Sequence, residues 1–278
     1  MAQKPPTERP ELSLETASGV LEYLRRQSSQ SPPNPFPSAS AITPVGGGSV
    51  NFTFRIHFQE PFEHWSQGRQ RWHYSAILKH YSNNIVSTPQ FTFSNNRQAF
   101  EALAFKEIPK LMASERTLGH VRLPELFYED SEAGVIIMED VIPLTDSRSD
   151  EAHVSSMVLR DYCKTADEDP RKIQLACQAA SALGKYLALL HRFDHSTSPQ
   201  TLFAHHVEAR RVCALTAFGD FVSSLDRFGV EMVADQRDSI EMVMESMTEE
   251  MLTCEDTLVM GDFWLVEFFI IPTTCCMP

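Results

Sequence analysis

The first regular apolar pattern in the chain predicts a short helix inside a polar, proline-rich segment. The stretch SLETASGVLEYLRRQ carries apolar residues at helical spacing, and Ser13 is its candidate N-cap. The stretch SSQSPPNPFPS that follows is typical of a linker. Residues 1–38 are therefore expected to be mostly disordered, apart from this one helix.

After residue 38 the pattern becomes that of strands. In NFTFRIHF, the residues Phe52, Phe54 and Ile56 alternate with polar residues at a period of two. The stretches ASAITPV, HYSAILKHY and GVIIMEDVIP are the other strand candidates in this region. Between the last two, NNRQAFEALAFKEIPKLM has helical spacing, and Pro109 marks a kink or an end of that helix.

The second half of the chain has helical periodicity. One helix is predicted in DEDPRKIQLACQAASALGKYLALLHRF, with Asp169 as N-cap and Pro170 in its first turn. Its apolar stripe comprises Ile173, Cys177, Ala180, Leu183, Leu187 and Leu190. A second helix is predicted over residues 206–229, ended by Gly229, and a third in VADQRDSIEMVMESMTEEML. TLVM is then a short strand.

This order of elements predicts an α+β fold with two lobes. Residues 39–142 form a β-rich N-terminal lobe, and residues 143–278 form a helical C-terminal lobe with an atypical tail at 265–278.

Composition narrows the function classes. The net charge of -13 and the pI of about 5.2 argue against nucleic acid as a partner, although a local basic pocket for a small phosphate-bearing ligand remains compatible with them. The start of the chain lacks the apolar core of a secretory signal, and LVEFFII is too short to span a bilayer. Six cysteines without a metal-binding spacing indicate reduced thiols, so a cytoplasmic location is expected, with no transmembrane segment.

A glycine run is the first candidate for chemistry. Gly46, Gly47, Gly48 and Ser49 lie between two strand candidates, where bare backbone N–H groups can approach a phosphate. The alternative is a flexible hairpin turn. The run is not a Walker A loop, because no Gly-Lys-Ser/Thr follows.

A lysine and a glutamate extend this pattern. Lys79 lies on a strand about thirty residues after the glycines, and Glu101 lies on the next helix, as in the ion pair with which kinases hold phosphate. Glu107 is a competing partner, and Glu101 is preferred because it follows Arg97 at helical spacing. The alternative is that both groups are solvated surface charges.

Two further positions follow in order along the chain. The strand VIIMEDV turns polar after Met138, and Glu139 and Asp140 then offer backbone groups to the edge of an adenine; an ordinary buried strand explains this stretch nearly as well. Asp262, after the strand LVM, is a candidate general base, although Gly-Asp is also common in turns.

These stretches together resemble the aminoglycoside phosphotransferase / choline kinase-like family of small-molecule kinases. The resemblance rests on GGGSVNFTFRI, AILKHY, RQAFEAL, VIIMEDV, LGKYLALLHRF and VMGDFW, and runs from about residue 39 to 264. It implies a protein-kinase-like bilobal fold, ATP and Mg²⁺ as cofactors, and transfer of the γ-phosphoryl group to a hydroxyl of a small-molecule acceptor. It implies that residues 46–49 cover the phosphates, that Lys79, oriented by Glu101, binds them, that Met138 to Asp140 flank adenine, and that Asp262 is the base.

The resemblance weakens at the end of the chain. Met260 stands where the family most often has His, Glu267 stands where a magnesium-binding Asn belongs, and no acidic residue follows for a second metal ligand. A chain truncated just after the catalytic Gly-Asp, with impaired catalysis, is therefore expected. The alternative is a non-catalytic nucleotide-binding or protein-interaction module. The acidic stretch at 129–169 suits a cationic acceptor, or is simply a solvated surface.

Overall fold

The computed structural model describes residues 13–29, 35–46, 50–66, 69–85, 88–92, 94, 96–113, 121–142, 157–165, 169–191, 206–214, 218, 221–253 and 269–270. The chain divides into two compact units. The first comprises Met1–Phe105 and Pro124–Asp146, and the second comprises Lys106–Leu123 and Ser147–Pro278.

An antiparallel sheet is the centre of the first unit. Its strands are β1 (Ala39–Pro44), β2 (Phe52–Ser66), β3 (Arg69–His80), β6 (Leu126–Asp130) and β7 (Val135–Glu139), in the order β1-β2-β3-β7-β6. A separate hairpin pairs β4 (Asn84–Ile85) with β5 (Thr88–Thr92). The α+β class is thus confirmed, with β2 and β3 longer than expected and β6 missed.

The two helices of this part of the chain are α1 (Ala17–Ser28) and α2 (Arg97–Met112). The N-cap of α1 is Thr16, whose Oγ1 accepts the Gly19 N–H at 3.1 Å, so the expectation of Ser13 was wrong. Pro109 lies inside α2 and does not end it.

Strand β7 is buried on both faces. Val135 and Ile137 pack with Val20 and Leu24 of α1 in the larger hydrophobic core. Ile136 points to the opposite face of the sheet, where it packs with Tyr81 and with Ala102 of α2. This double burial explains why VIIM is a continuous apolar run and does not alternate.

The segment before residue 39 contributes more to the core than the sequence indicates. Phe36 is buried, and its ring lies 5.0 Å from that of Phe62 and 5.9 Å from that of Phe58. The Tyr23 hydroxyl of α1 donates to Asp130 Oδ2 at 2.8 Å and so ties α1 to β6. Within residues 1–38, the helix was expected to be the only ordered part, but Phe36, which lies outside the helix, is also part of the core.

Helices make up most of the described second unit. Besides residues 106–112 of α2, they are α3 (Leu159–Thr165), α4 (Pro170–His191), α5 (Val207–Ala214), α6 (Phe221–Arg227) and α7 (Ala234–Thr253). Of the single helix expected over 206–229, the structure describes α5 and α6, and residues 215–217, 219 and 220 between them lie outside the described residues. Gly229 ends α6 as expected: its φ is +71°, and Val230 N–H bonds to Leu225 C=O at 3.0 Å. Strand β8 (Met157–Val158) pairs with β9 (Phe269–Ile270), which lies in the tail.

Helix α4 begins as expected, because Asp169 Oδ1 accepts the Arg171 N–H at 2.9 Å. Its apolar stripe was predicted only in part. Leu183 and Leu190 are buried together with Tyr186, but Ile173 is exposed, and so are Cys177 and Ala180. By length and composition alone, α4 is also apolar enough to cross a membrane, a property that core helices of soluble proteins share.

We expect Phe36→Ala to lower the free energy of unfolding by about 3–5 kcal/mol, because it empties a buried aromatic site. Urea unfolding checks this. The control is Tyr74→Ala, which removes an aromatic ring that is 62% exposed in the same unit. Equal effects of the two substitutions would contradict the packing role of Phe36.

We also expect stability to fall as the pH drops below about 6.5. Burial lowers the pKa of His73 and His80 below the usual value of 6.5, so the unfolded chain takes up protons in this range more readily than the folded chain. Unfolding free energies measured from pH 7.5 to 5.5 should show this slope. The slope should be smaller in a His73→Gln/His80→Gln variant, and an unchanged slope would contradict the assignment.

Candidate functional site

A lysine and a glutamate form the centre of the candidate site in the first unit. Lys79 is near the end of β3, and Glu101 is in the second turn of α2. Lys79 Nζ lies 2.6 Å from Glu101 Oε1, and about a quarter of each side chain is exposed. Because an ammonium has three N–H donors, this pair leaves Lys79 able to bind phosphate oxygens.

Tyr81 holds the other side of the same carboxylate. Its hydroxyl donates to Glu101 Oε2, and burial, reinforced by Glu101, raises the pKa of Tyr81 well above its ordinary value. The Tyr81 N–H donates to the Gly134 carbonyl at 2.8 Å. At Gly134, where φ is +60°, a Cβ would lie 3.0 Å from the Tyr81 carbonyl oxygen. This turn therefore needs glycine to keep Tyr81 in place.

Arg97, at the start of α2, anchors the residues that follow the glycine run. Its Nη2 donates to Asn51 Oδ1 at 3.0 Å and to the Ser82 carbonyl at 2.8 Å. Its guanidinium also lies over the Tyr81 ring, 5.5 Å from the centroid. The preference for Glu101, drawn from its helical spacing to Arg97, thus selected the glutamate that pairs with Lys79.

The competing partner is excluded by its own contact. Glu107 Oε1 accepts from Lys110 Nζ at 2.7 Å, one turn further along α2. The expected pairing of Lys79 with Glu101 is therefore present, while the roles of both residues in nucleotide binding stay a prediction.

The polar end of β7 continues into a connector segment, residues 139–142. Met138 is largely buried, and so are the side chains of Glu139 and Asp140. Both carboxylates are engaged: Asp140 binds Arg55, and Glu139 Oε2 accepts the Glu125 N–H at 3.3 Å. Recognition of an adenine edge here would therefore fall to backbone groups, because the two side chains hold the segment itself.

Several predicted site residues lie outside the described residues: Gly47, Gly48, Ser49, Asp262 and Glu267. Gly46 is described, and a Cβ there would meet no heavy atom within 4 Å, so space is open beside the start of the glycine run. Within the described ranges, no cluster of three or more His, Cys, Asp or Glu side chains could hold a metal ion. The described part of the site thus supplies no set of magnesium ligands, and the magnesium expectation stays a prediction.

No family model matches the chain. It is 24% identical over 258 residues to a 4-hydroxytryptamine kinase from Psilocybe cyanescens, and 24% identical over 257 residues to one from Psilocybe cubensis. Each alignment covers 90% of this chain.

The chain resembles small-molecule kinases. The resemblance indicated by the sequence motifs is thereby confirmed, although the chain covers only 62% and 61% of the two relatives' lengths. Among solved structures, the chain is similar to the phosphotransferase APH(2″)-IIa in its streptomycin–ATP complex. The match covers 88% of this chain and 60% of the phosphotransferase chain, at 12% identity and a TM-score of 0.37.

Sequence reasoning missed Tyr81 at this candidate site, although it follows β3 directly and stands two residues after Lys79, the spacing that places strand residues on one face. We expect Tyr81→Phe to weaken binding of inorganic tripolyphosphate by about fivefold, because about 1 kcal/mol of hydrogen bonding to Glu101 is lost. Isothermal titration calorimetry measures this.

The matched control is Tyr23→Phe, which removes a tyrosine–carboxylate hydrogen bond, to Asp130, outside the site. It should leave tripolyphosphate affinity unchanged. If Tyr81→Phe binds tripolyphosphate as tightly as the wild type, the hydroxyl does not position the pair.

Proposed function

We propose that this chain carries the nucleotide-binding part of a small-molecule kinase that transfers the γ-phosphoryl group of ATP to a hydroxyl. The observation that carries the proposal is the 2.6 Å pair of Lys79 and Glu101 on a strand and a helix that follow a glycine run. A strand lysine held by a helix glutamate is the arrangement with which kinases bind nucleotide phosphates. The relatives named as kinases support the same class.

In the proposed reaction, the acceptor oxygen bonds to the γ-phosphorus while the bond to the β–γ bridging oxygen breaks. ADP leaves with that oxygen, and the acceptor's hydroxyl proton passes to a carboxylate, for which Asp262 is the candidate. Lys79 would offset the negative charge of the phosphate oxygens. Glu101, itself held by Tyr81, would keep the Lys79 side chain in place. The glycine run at 46–48 would offer backbone N–H groups.

For the acceptor, we propose a hydroxyl-bearing amine. The two relatives are named for 4-hydroxytryptamine, which has an aromatic hydroxyl and an aminoethyl group. An acidic chain, with a net charge of -13 and a carboxylate-rich stretch at 129–169, suits a cationic acceptor better than a polyanion such as nucleic acid. Among the described residues, Cys163, Cys177 and Cys213 form no disulfide, which supports a cytoplasmic location.

A second candidate is a nucleotide-binding module without phosphoryl transfer. It is favoured by Glu267, which stands where the kinase family has a magnesium-binding Asn. The two candidates share ATP binding and differ in Mg²⁺-dependent, acceptor-stimulated turnover.

We expect Lys79→Ala to lower ATP affinity by about tenfold to a hundredfold, because a charge-assisted contact to phosphate is worth about 1.5–3 kcal/mol. Calorimetric titration with ATP measures it. The control is Lys110→Ala, which removes a lysine paired at 2.7 Å with a carboxylate on the same helix as Glu101. Loss of affinity in both variants, or in neither, would contradict the assignment of Lys79.

The turnover assay then separates the two candidates. ADP release from ATP is followed with and without 4-hydroxytryptamine, in the presence and absence of Mg²⁺. Acceptor-stimulated turnover that Asp262→Asn abolishes identifies the kinase. ATP binding without turnover identifies the non-catalytic module, and the absence of ATP binding contradicts both.

A further inference from the structure

Arg55 joins the sheet to the connector segment through a buried cluster. It lies on β2, where it pairs with Ile77 of β3, on the same face of the strands as the pair Thr53 and Lys79. Its side chain is 18% exposed, and that of its partner Asp140 is 2% exposed. Charges buried to this extent are costly unless each of them is well paired.

The cluster engages both oxygens of the Asp140 carboxylate. Oδ2 accepts from Arg55 Nε at 2.6 Å and from Ser75 Oγ at 2.7 Å. Oδ1 accepts from Arg55 Nη2 at 3.1 Å and from the Ile142 N–H at 3.2 Å. The same Nη2 donates to the Ile142 carbonyl at 3.1 Å. The guanidinium fork therefore fixes the backbone on both sides of Val141.

Net stability is a poor explanation for such a cluster. Replacing a buried ion pair by well-packed apolar residues is often neutral or stabilising, because desolvation offsets the attraction between the charges. A planar, bidentate guanidinium does supply a fixed geometry. What it fixes here is the peptide that follows Met138, the stretch where the nucleotide base is expected.

We infer that Arg55 is a positioning residue for recognition of the nucleotide base. It acts by holding the connector segment in place through Asp140 and Ile142. Small-molecule sites fix orientation with a few precisely placed polar groups, including backbone N–H and C=O. Because the side chains of Glu139 and Asp140 and both backbone groups of Ile142 are engaged within the unit, the backbone groups of Asp140 and Val141 are the ones that we propose contact an adenine edge. This inference rests on the proposed nucleotide site.

The inference predicts a loss that is specific to the base. Arg55→Lys keeps the positive charge, so long-range attraction for phosphate is retained, but it cannot form the bidentate fork. We expect this variant to bind ATP about tenfold more weakly and to bind inorganic tripolyphosphate within about twofold of the wild type. Lys79→Ala should weaken the binding of both ATP and tripolyphosphate. A purely structural role would leave the ratio of the two affinities unchanged.

A matched control removes an arginine–carboxylate pair elsewhere in the same unit. Arg26 Nε lies 2.9 Å from Glu22 Oε1 on α1, and the two side chains are 40% and 45% exposed. Arg26→Lys should change neither affinity. Hydrogen exchange adds a readout that needs no ligand: the amide of Ile142, which donates to Asp140 Oδ1, should exchange faster in Arg55→Lys than in the wild type.

The outcomes separate this inference from the proposed function. Equal losses for ATP and tripolyphosphate in Arg55→Lys, or no loss, would overturn the inference and leave the kinase proposal standing. A wild-type chain that binds tripolyphosphate but not ATP would overturn it as well. A wild-type chain that binds neither ligand would overturn the proposed function and, with it, the inference. If Arg55→Lys fails to fold, Ser75→Ala, which removes one hydrogen bond to Asp140, decides by the same comparison.

Discussion

The burial of β7 on both faces is the constraint on which the first unit depends. Val135 and Ile137 need an apolar cover on one side of the sheet, and Ile136 needs one on the other. Residues of α1 supply the first cover, and Tyr81 and Ala102 supply the second. Because α2 must lie close to β3 for this purpose, Glu101 reaches Lys79. The ion pair of the candidate site is thus a consequence of how one strand is buried.

Two carboxylates at the edges of this core, those of Glu101 and Asp140, each have more than one partner. Glu101 is held between Lys79 and Tyr81, and Asp140 is held between Arg55 and Ser75. A half-satisfied buried cluster costs more than an apolar replacement, whereas a fully paired one fixes a single geometry. Two such clusters lie on one unit, one where phosphates are expected and one where a base is expected.

The sequence predicted the elements with strong periodicity and the pairing of Lys79 with Glu101. Lys79 and Glu101 were found because the strand and the helix that carry them are unambiguous. Phe36 was missed because it stands among prolines, where no periodicity exists, and only tertiary packing with Phe58 and Phe62 buries it. Strand β6 was missed because LFYED is short and ends in two carboxylates.

Long-range polar contacts were the least predictable part of the site, for a physical reason. Arg55 and Asp140 are eighty-five positions apart in the chain, and their pairing depends on the register of three strands. Local patterns carry no information about such a register unless one face is clearly apolar. Arg55 alternates with Phe54 and Ile56, so the sequence assigns it to the polar face, which is commonly solvent. In the structure the connector segment covers that face around Arg55. The alternation therefore places the Arg55 guanidinium where it binds Asp140 and the Ile142 backbone. A polar position in an alternating strand thus becomes a candidate for function when a neighbouring strand ends in a buried carboxylate, as β7 does at Asp140.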